Sequence, residues 1–476
     1  MQPAFIADDG LWAEATFDGN LLPDDRLGDR LKQYAASQAA DPAASTSAAC
    51  RGDKAAREGA YRLLENERVT AEDIEEGPFS RTAELCGGRR VVLAIQDTTG
   101  VGVKYGPLAK VIQSPGSPTG FVVHSTLMVD GDSGEILGLL EQQRWIREPK
   151  VPGEKKRDTR AYEDRESYKW EAASRSVCDR LDDPDAVVTV GDRETDIKEL
   201  LGYHLESQRR FVLRAKVDRR VDGEAGFLWA TLEQAPVVGS REVTVCQRGG
   251  QEAKGIQSER ASRPQRVAKT ELRAATVLLK DLGQGSVDEA RSVNVVLVRE
   301  VDPPKGVEPL EWLLLTSEPV GTFDEVSTVV RYYEKRWVIE EFHKCWKTGC
   351  RVDDRPLQDP RSIECLMVIL ASIAVRMLQL HALANQTETK ASCEPVLAQD
   401  EWQCLWSSTE NSKPMPKAPP TARWAYSAIA KLGGWYDTKR TGRVGWDTMW
   451  AGWSKFRERL HGWRAHASTI RPHSHL

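Results

Sequence analysis

Four residues suited to binding phosphate or metal ions occur in one short segment, at spacings that favour one face of a helix. They are Tyr333, Arg336, Glu340 and Lys347. At about 100° per residue, their side chains fall within an arc about 60° wide, which Val326, Val329 and Val330 also approach. The stripe is therefore apolar at its start and ionic further along, and charges on such a face are paired or functional. The alternative is a solvated helix face with ordinary ion pairs.

Two aspartates directly follow apolar runs elsewhere in the chain. The first run is residues 91–95, and one residue separates it from Asp97. The second run is residues 186–190, and one residue separates it from Asp192. Apolar runs of this length without alternation are typical of strands buried on both faces. We therefore expect each aspartate to lie just past a core strand, although turn or helix-capping roles are the alternative.

Asp97, Asp192 and Glu340 together form a more specific set than any one of them. Three hard oxygen ligands on separate elements suit Mg²⁺ or Mn²⁺, with coordination positions left for water and phosphate oxygens. The sequence therefore predicts a site in which these three residues hold a pair of Mg²⁺ or Mn²⁺ ions.

With this spacing, the sequence resembles the DDE-class cut-and-paste transposases of bacterial insertion sequences. The branch it resembles has a Tyr, two residues, Arg, three residues, Glu, six residues and Lys, as residues 333–347 have. Further similar segments are residues 58–62, 192–197, 312–319 and 432–435. The resemblance covers nearly the whole chain. It implies an α/β fold with a ribonuclease H-like catalytic core, a mixed sheet flanked by helices, and a β-rich insertion.

The resemblance and the composition along the chain together predict three domains. Residues 1–72 are expected to form a helical domain that binds the transposon end, and residues 73–384 the catalytic domain. A basic, β-rich insertion occupies about residues 209–300. Residues 385–476 are expected to form a helical dimerisation domain, separated by a polar, proline-containing segment.

The family implies roles for the residues around the three carboxylates. Arg336 orients Glu340 or binds a phosphate, Tyr333 positions the DNA strand, and Trp312 stacks on a displaced base, although a strand-core role is the alternative for Trp312. Lys344 and Lys347 contact the DNA backbone, and His343 lies near DNA. The implied reaction proceeds by nicking, hairpin formation, hairpin opening and strand transfer, with two Mg²⁺ ions that Mn²⁺ can replace.

Further DNA contacts are predicted from basic residues outside this segment. Residues 209–280 contain 15 Lys and Arg against 8 Asp and Glu, whereas the whole chain has a net charge of −5. A basic patch inside an acidic chain favours local DNA binding, although a solvated basic loop is the alternative. The candidate contacts in the patch and in the N-terminal domain are Arg214, Lys216, Arg26, Arg30, Tyr61 and Arg62.

The C-terminal region is rich in tryptophan, and six large apolar side chains there follow a helical spacing. The stripe consists of Trp446, Trp450, Trp453, Phe456, Leu460 and Trp463. Such a stripe is more often core, but a small helical domain has little core in which to hide it. The sequence therefore predicts a partner surface, in keeping with a homodimer on DNA.

Composition limits the compartment and the remaining alternatives. No targeting peptide or membrane span is evident, and nine scattered cysteines without a Cys-x-x-Cys pair disfavour disulfides and structural zinc, so we expect a bacterial cytoplasmic protein. Transposon-end DNA and target DNA are the expected partners. A decayed copy that binds DNA without cutting it and a nuclease of the same fold are the alternatives.

Overall fold

The computed structural model describes residues 4–6, 8–112, 120–148, 160–245, 265–280, 291–385, 392–394, 397–410, 412–436, 438 and 444–470. These residues form a mixed α/β protein, as predicted. The strands are β1 (Val92–Gly102), β2 (Gly120–Asp130), β3 (Ile136–Ile146), β4 (Val187–Gly191), β5 (Arg210–Arg214), β6 (Val237–Val245), β7 (Arg266–Leu279), β8 (Arg291–Glu300) and β9 (Glu311–Thr316). The helices are α1 (Asp9–Phe17), α2 (Asp25–Ala40), α3 (Thr46–Ala49), α4 (Lys54–Leu64), α5 (Ala71–Cys86), α6 (Gly106–Val111), α7 (Lys169–Asp179), α8 (Lys198–Glu206), α9 (Leu228–Gln234), α10 (Phe323–Lys335), α11 (Trp337–Lys344), α12 (Pro360–Asn385), α13 (Gln399–Thr409), α14 (Ala422–Leu432) and α15 (Trp446–Ile470).

The chain divides into two compact units. The first unit comprises Met1–Gly88, Thr98–Lys155 and Val338–Leu476, and the second comprises Arg89–Asp97 and Lys156–Trp337. Strand β1 contributes to both, because the division falls after Asp97.

The second unit is built on strands in the order β1-β4-β5-β9-β8-β7-β6. Strand β4 is parallel to both β1 and β5, whereas β5 to β9 and the strands beyond pair in antiparallel fashion. All five residues of β4 are buried, as expected for a strand covered on both faces. The segment predicted to be a β-rich insertion contains β5 to β8 in its described part. In that segment β5 pairs in parallel with β4 and in antiparallel fashion with β9, whereas β6 to β8 pair in antiparallel fashion.

One strand boundary differs from the prediction. The sequence places Asp97 just past a strand, but β1 continues through Asp97 to Gly102. Asp97 therefore lies inside a strand. Burial decreases from Asp97 to Gly100. The strand therefore continues through partly exposed polar residues after its apolar residues end.

The first unit contains the hairpin of β2 and β3 and most of the helices, with α12 at its centre. By length and composition, helix α12 is apolar enough to cross a membrane. However, 94% of its apolar 18-residue stretch is buried inside the protein. Considering only uninterrupted apolar runs misses this helix, because Ser, Arg and Gln side chains interrupt its apolar residues. Such burial is typical of the core helix of a globular unit.

The centre of the tryptophan stripe is core, so the predicted partner surface is wrong there. Its buried members are Trp450, Trp453, Phe456 and Leu460. A Cβ added to Gly349 would overlap the Trp450 indole, and Trp453 Nε1 donates a hydrogen bond of 3.4 Å to the carbonyl of Ala39. The residues that cover the stripe come from distant parts of the chain. Trp463, at the end of the stripe, keeps 38% of its surface exposed.

Candidate active site

Asp97 lies in β1, and Asp192 directly follows β4, the neighbouring parallel strand. Ile95 of β1 pairs with Val190 of β4, so the two aspartates, each two residues further on, lie at the same level. Residues two apart in a strand point to the same face, and adjacent strands lie about 4.8 Å apart. Both side chains are partly buried. The second unit therefore brings these two carboxylates close together.

Asp192 is fixed by the short 3₁₀ turn that follows it. Its Oδ1 accepts a hydrogen bond of 2.8 Å from the Glu194 amide, and its carbonyl accepts one of 2.6 Å from Thr195 Oγ1. Gly191 allows the Thr195 side chain to pack directly over it, because a Cβ at Gly191 would overlap that side chain. The turn therefore holds the Asp192 carboxylate in one orientation.

Glu194 is a third acid beside this pair that the sequence analysis did not single out. Although much of this side chain reaches solvent, desolvation of its carboxyl raises the pKa of Glu194, and the charges of Asp192 and Asp97 raise it further. The positive charges of Lys169 and Lys216 oppose that rise. An acid two residues after a strand-end aspartate is the sequence signal that could have found it.

Tyr333 lies among several aromatic and basic residues of the second unit. Its side chain is buried, with its ring edge against Trp312 at a centroid separation of 4.9 Å. Burial raises the pKa of Tyr333, while the charges of Arg214 and Arg336 and a hydrogen bond to Arg214 lower it, and the charge of Asp192 raises it. Four predicted site residues therefore surround Tyr333 in this unit, and Trp312 is partly exposed instead of being a core residue.

Arg214 and Lys216 stand at the end of β5 in different environments. Arg214 Nη2 donates a hydrogen bond of 2.7 Å to the carbonyl of Glu311, and burial lowers the pKa of its guanidinium. Lys216 is exposed on the loop after β5. The Lys216 amide donates to the buried Asp196 carboxylate at 2.6 Å, a contact that the sequence analysis did not predict.

The remaining signature residues lie in the first unit. Glu340 is partly buried on α11, and Lys347 lies on a π-helical turn, Cys345–Gly349. Lys347 Nζ donates to Thr99 Oγ1 at 2.6 Å and to the Gly100 carbonyl at 3.3 Å. A π-turn inside a helix is rare and is often found at functional sites. It also breaks the 100° spacing on which the predicted stripe depends.

Two neighbours on α11 differ in exposure. His343 is buried, so a DNA contact from its side chain would require the surrounding surface to open. Lys344 is exposed, and its Nζ lies 3.1 Å from Glu341 Oε1. Glu341 Oε2 also accepts a hydrogen bond of 2.7 Å from Trp446 Nε1, so the acid that pairs with Lys344 is anchored to α15.

The predicted N-terminal contacts lie on two helices of the first unit. Arg26 and Arg30 are on α2, and Tyr61 and Arg62 are on α4. Arg26 and Arg62 are exposed, Arg30 and Tyr61 are partly buried, and Arg62 forms an i, i+4 ion pair of 3.6 Å with Glu58. The Arg30 side chain passes beside Gly59, so α2 and α4 are in contact there.

The carboxylate pair fits a divalent cation as part of an open site. Asp97 and Asp192 provide hard oxygen donors, the ligands that Mg²⁺ and Mn²⁺ prefer. Within the part of the chain that the structure describes, no group of three or more His, Cys, Asp and Glu side chains is already arranged to hold a metal. Water and phosphate oxygens would therefore complete the coordination, as is usual for Mg²⁺.

Two family models match the chain. One, described as transposase DNA-binding, matches residues 9–69, and the other, described as transposase DDE domain, matches residues 171–376. The first range includes all four predicted N-terminal contacts. The second includes Asp192, Glu340 and the rest of the Tyr333 to Lys347 signature, and it begins after Asp97.

Proposed function

We propose that this chain, which carries the DNA-binding and DDE domains of a DDE-family transposase, moves a DNA segment by cut-and-paste transposition. The observation that supports the chemistry most directly is the in-register pair Asp97 and Asp192, beside the aromatic and basic cluster at Tyr333. The proposed steps are nicking of one strand, hairpin formation, hairpin opening and strand transfer into target DNA. The transposase of a composite transposon that carries kanamycin resistance is a relative that the sequence resembles.

Asp97, Asp192 and Glu340 are proposed to hold two Mg²⁺ ions, which Mn²⁺ can replace. Bound there, the metal supplies activation of the attacking oxygen and stabilisation of the leaving oxygen. Glu340 enters the proposal through the signature spacing and through its place inside the matched DDE range. Asp97 would contribute its carboxylate to holding the metal.

The other residues of the proposed site bind and orient DNA. Arg336 and Arg214 offer planar guanidinium groups, which suit bidentate contacts with phosphate oxygens. Lys344 and Lys347 provide point charges for the backbone. Trp312 is partly exposed with the Tyr333 edge behind it, an arrangement that supports stacking on a base displaced when the strand bends into a hairpin.

The three predicted domains would each serve this function. A ribonuclease H-like catalytic core within residues 73–384 is supported by the parallel strands β1, β4 and β5 and by the DDE match. Residues 1–72 are proposed to bind the transposon end, which the DNA-binding match supports. Residues 385–476 are proposed to hold two chains together on DNA, because two ends must be joined and each chain has one set of carboxylates. Such a DNA-acting enzyme would work in the bacterial cytoplasm.

The test is cleavage of DNA that carries the flanks of this coding sequence, in the presence of Mg²⁺. We expect wild-type protein to nick the fragment and to form hairpin ends. Asp97→Ala, Asp192→Ala and Glu340→Ala should each bind the same DNA without nicking it. A variant that cleaves at a rate close to wild type would remove its residue from the site.

A further inference from the structure

We infer that Asp196 is a positioning residue, which fixes the loop after β5 so that Lys216 is held beside the Asp97 and Asp192 pair for contact with DNA. The loop is defined here as residues 215–220. The choice of DNA as the ligand rests on the proposed function, whereas the clamp on the loop rests on contacts within the second unit.

The Asp196 side chain binds the loop with both carboxylate oxygens. Its Oδ2 accepts hydrogen bonds from the amides of Lys216 at 2.6 Å and Val217 at 2.7 Å. Its Oδ1 accepts one of 2.9 Å from Arg219 Nε and a second from Arg219 Nη2. The Asp196 side chain is fully buried, with 0% exposure, so water does not compete for these four bonds.

The clamp is connected to Asp192 by a rigid turn. The amide and the hydroxyl of Thr195 both donate to the Asp192 carbonyl, at 3.1 and 2.6 Å, and Thr195 is itself buried against Gly191. Asp196 is the next residue. The position of the loop is therefore set relative to Asp192. A movement of the loop would also move the Asp192 carboxylate.

The clamped loop presents a cation at the surface next to the acids. Lys216, Val217 and Asp218 are exposed, although the amides of the first two are bonded to a buried group. Strand β5 runs parallel to β4 with Leu213 paired to Gly191, so the loop after β5 begins at the edge of the sheet where Asp192 follows β4. A phosphate that approaches the carboxylates would therefore meet Lys216 in a fixed place, which reduces the entropy lost on binding.

The distinguishing experiment uses full-length Asp196→Asn, Lys216→Ala and the double variant. In Asp196→Asn, one oxygen becomes an NH₂ group, so either the two amides or Arg219 lose their acceptor, and loss of the negative charge weakens the bonds that remain. We expect faster hydrogen exchange at the Lys216 and Val217 amides. We also expect the slope of log Kd against log salt, measured on duplex DNA from the flanks of the coding sequence, to fall by about 1.

Lys216→Ala should lower that slope by the same amount without faster hydrogen exchange at the Val217 amide. The double variant should lower the slope no further, because both changes remove the same contact between Lys216 and DNA. Asp185→Asn is the matched control. Its exposed carboxylate pairs with Arg209 at 2.9 Å in the same unit, so both readouts should stay at wild-type values. If Asp196→Asn does not fold, Arg219→Gln loosens the loop at the other carboxylate oxygen and is measured in the same way.

The outcomes separate this inference from the proposed function. Faster exchange with an unchanged salt slope, or additive slopes in the double variant, would show that Asp196 only stabilises the loop and would overturn the inference. Wild-type protein that does not bind the flank DNA would remove the proposed function and this role for Lys216 together. In that case, faster hydrogen exchange in Asp196→Asn would still show that Asp196 holds the loop.

Discussion

At the scale of single residues, burial decides which polar groups can do chemistry. Asp97 and Asp192 are partly buried in β1 and directly after β4, whereas the Asp196 side chain is buried and bonded to the loop that it holds. The sequence predicts the first two because each follows an apolar run. It does not predict the partners of Asp196 or Glu194, because those contacts join residues that only the folded sheet brings together.

Tyr333→Phe tests the hydroxyl at the centre of the second unit's cluster. The change removes the hydroxyl that interacts with the Arg214 guanidinium and keeps the ring against Trp312. Loss of an interaction with a charged group is worth about 1.5–3 kcal/mol, so we expect nicking to slow by roughly tenfold or more. DNA binding should change by less than about threefold, measured by gel shift. Tyr332→Phe, which removes the next hydroxyl on α10, is the control, and equal rates for the two variants would contradict the role of Tyr333.

His204 makes the second unit sensitive to acid. Its ring packs against Tyr203 and Phe211, and neither ring nitrogen has a hydrogen-bond partner among the described residues. Burial lowers the pKa of His204 to about 3 from its ordinary 6.5. Between these values the unfolded chain binds a proton that the folded chain does not, so stability falls as pH drops below about 6.5 and is unaffected above it.

His204→Phe should remove this dependence. For wild type we expect the free energy of unfolding to fall by an amount on the order of 2 kcal/mol between pH 6 and 4.5, since one pKa unit corresponds to about 1.36 kcal/mol. The melting temperature of His204→Phe should vary less across that range. The same change at the exposed His461 should leave the wild-type pH profile in place. Identical profiles for wild type and His204→Phe would show that another group controls the acid transition.

At the scale of elements, the sequence predicts regular periodicity well and its interruptions poorly. The valines of α10 and Tyr333 are buried as the helical spacing predicts. The break at Arg336 and the π-turn at Cys345–Gly349 do not follow from the spacing, and the π-turn packs at Gly349 against the distant residue Trp450. The tryptophan stripe shows the same limit, since its pattern is equally consistent with core and with an interface.

Gly452→Ala tests the crossing of α14 and α15. A Cβ at Gly452 would overlap the Ile429 carbonyl, so the two helices would have to move apart. We expect a loss of about 1–3 kcal/mol in the free energy of unfolding. Gly462→Ala, on the same helix with nothing near its added Cβ, should be neutral or stabilising by up to about 1 kcal/mol. Chemical denaturation of both variants measures the difference, and similar stabilities would contradict the close crossing.

At the scale of the whole molecule, a buried ionic network joins the first and last helices of the first unit. Asp9 on α1 pairs with Arg376 on α12 at 2.7 Å and with Arg457 on α15. Arg457 also pairs with Glu401 on α13 at 2.9 Å. Residues far apart in sequence therefore depend on one another for charge compensation, which no local pattern could reveal.

Asp9→Asn should be strongly destabilising, because it leaves two buried guanidinium groups short of a counter-charge. We expect a loss of about 3–5 kcal/mol in the free energy of unfolding. Glu14→Gln on the same helix breaks an exposed pair with Lys32 and should cost at most about 1 kcal/mol. Differential scanning calorimetry compares the two, and a melting temperature for Asp9→Asn equal to that of Glu14→Gln would show that the network contributes little.

The central proposal is that Asp97, Asp192 and Glu340 are the metal ligands required for cutting DNA. The most direct measurement is a denaturing gel of flank DNA incubated with Mg²⁺ and either wild-type protein or Asp192→Ala. We predict nicked strands followed by hairpin ends for wild type, and bound but intact DNA for the variant. Nicking by Asp192→Ala at the wild-type rate, or binding by wild type without any nicking in Mg²⁺ or Mn²⁺, would contradict the claim.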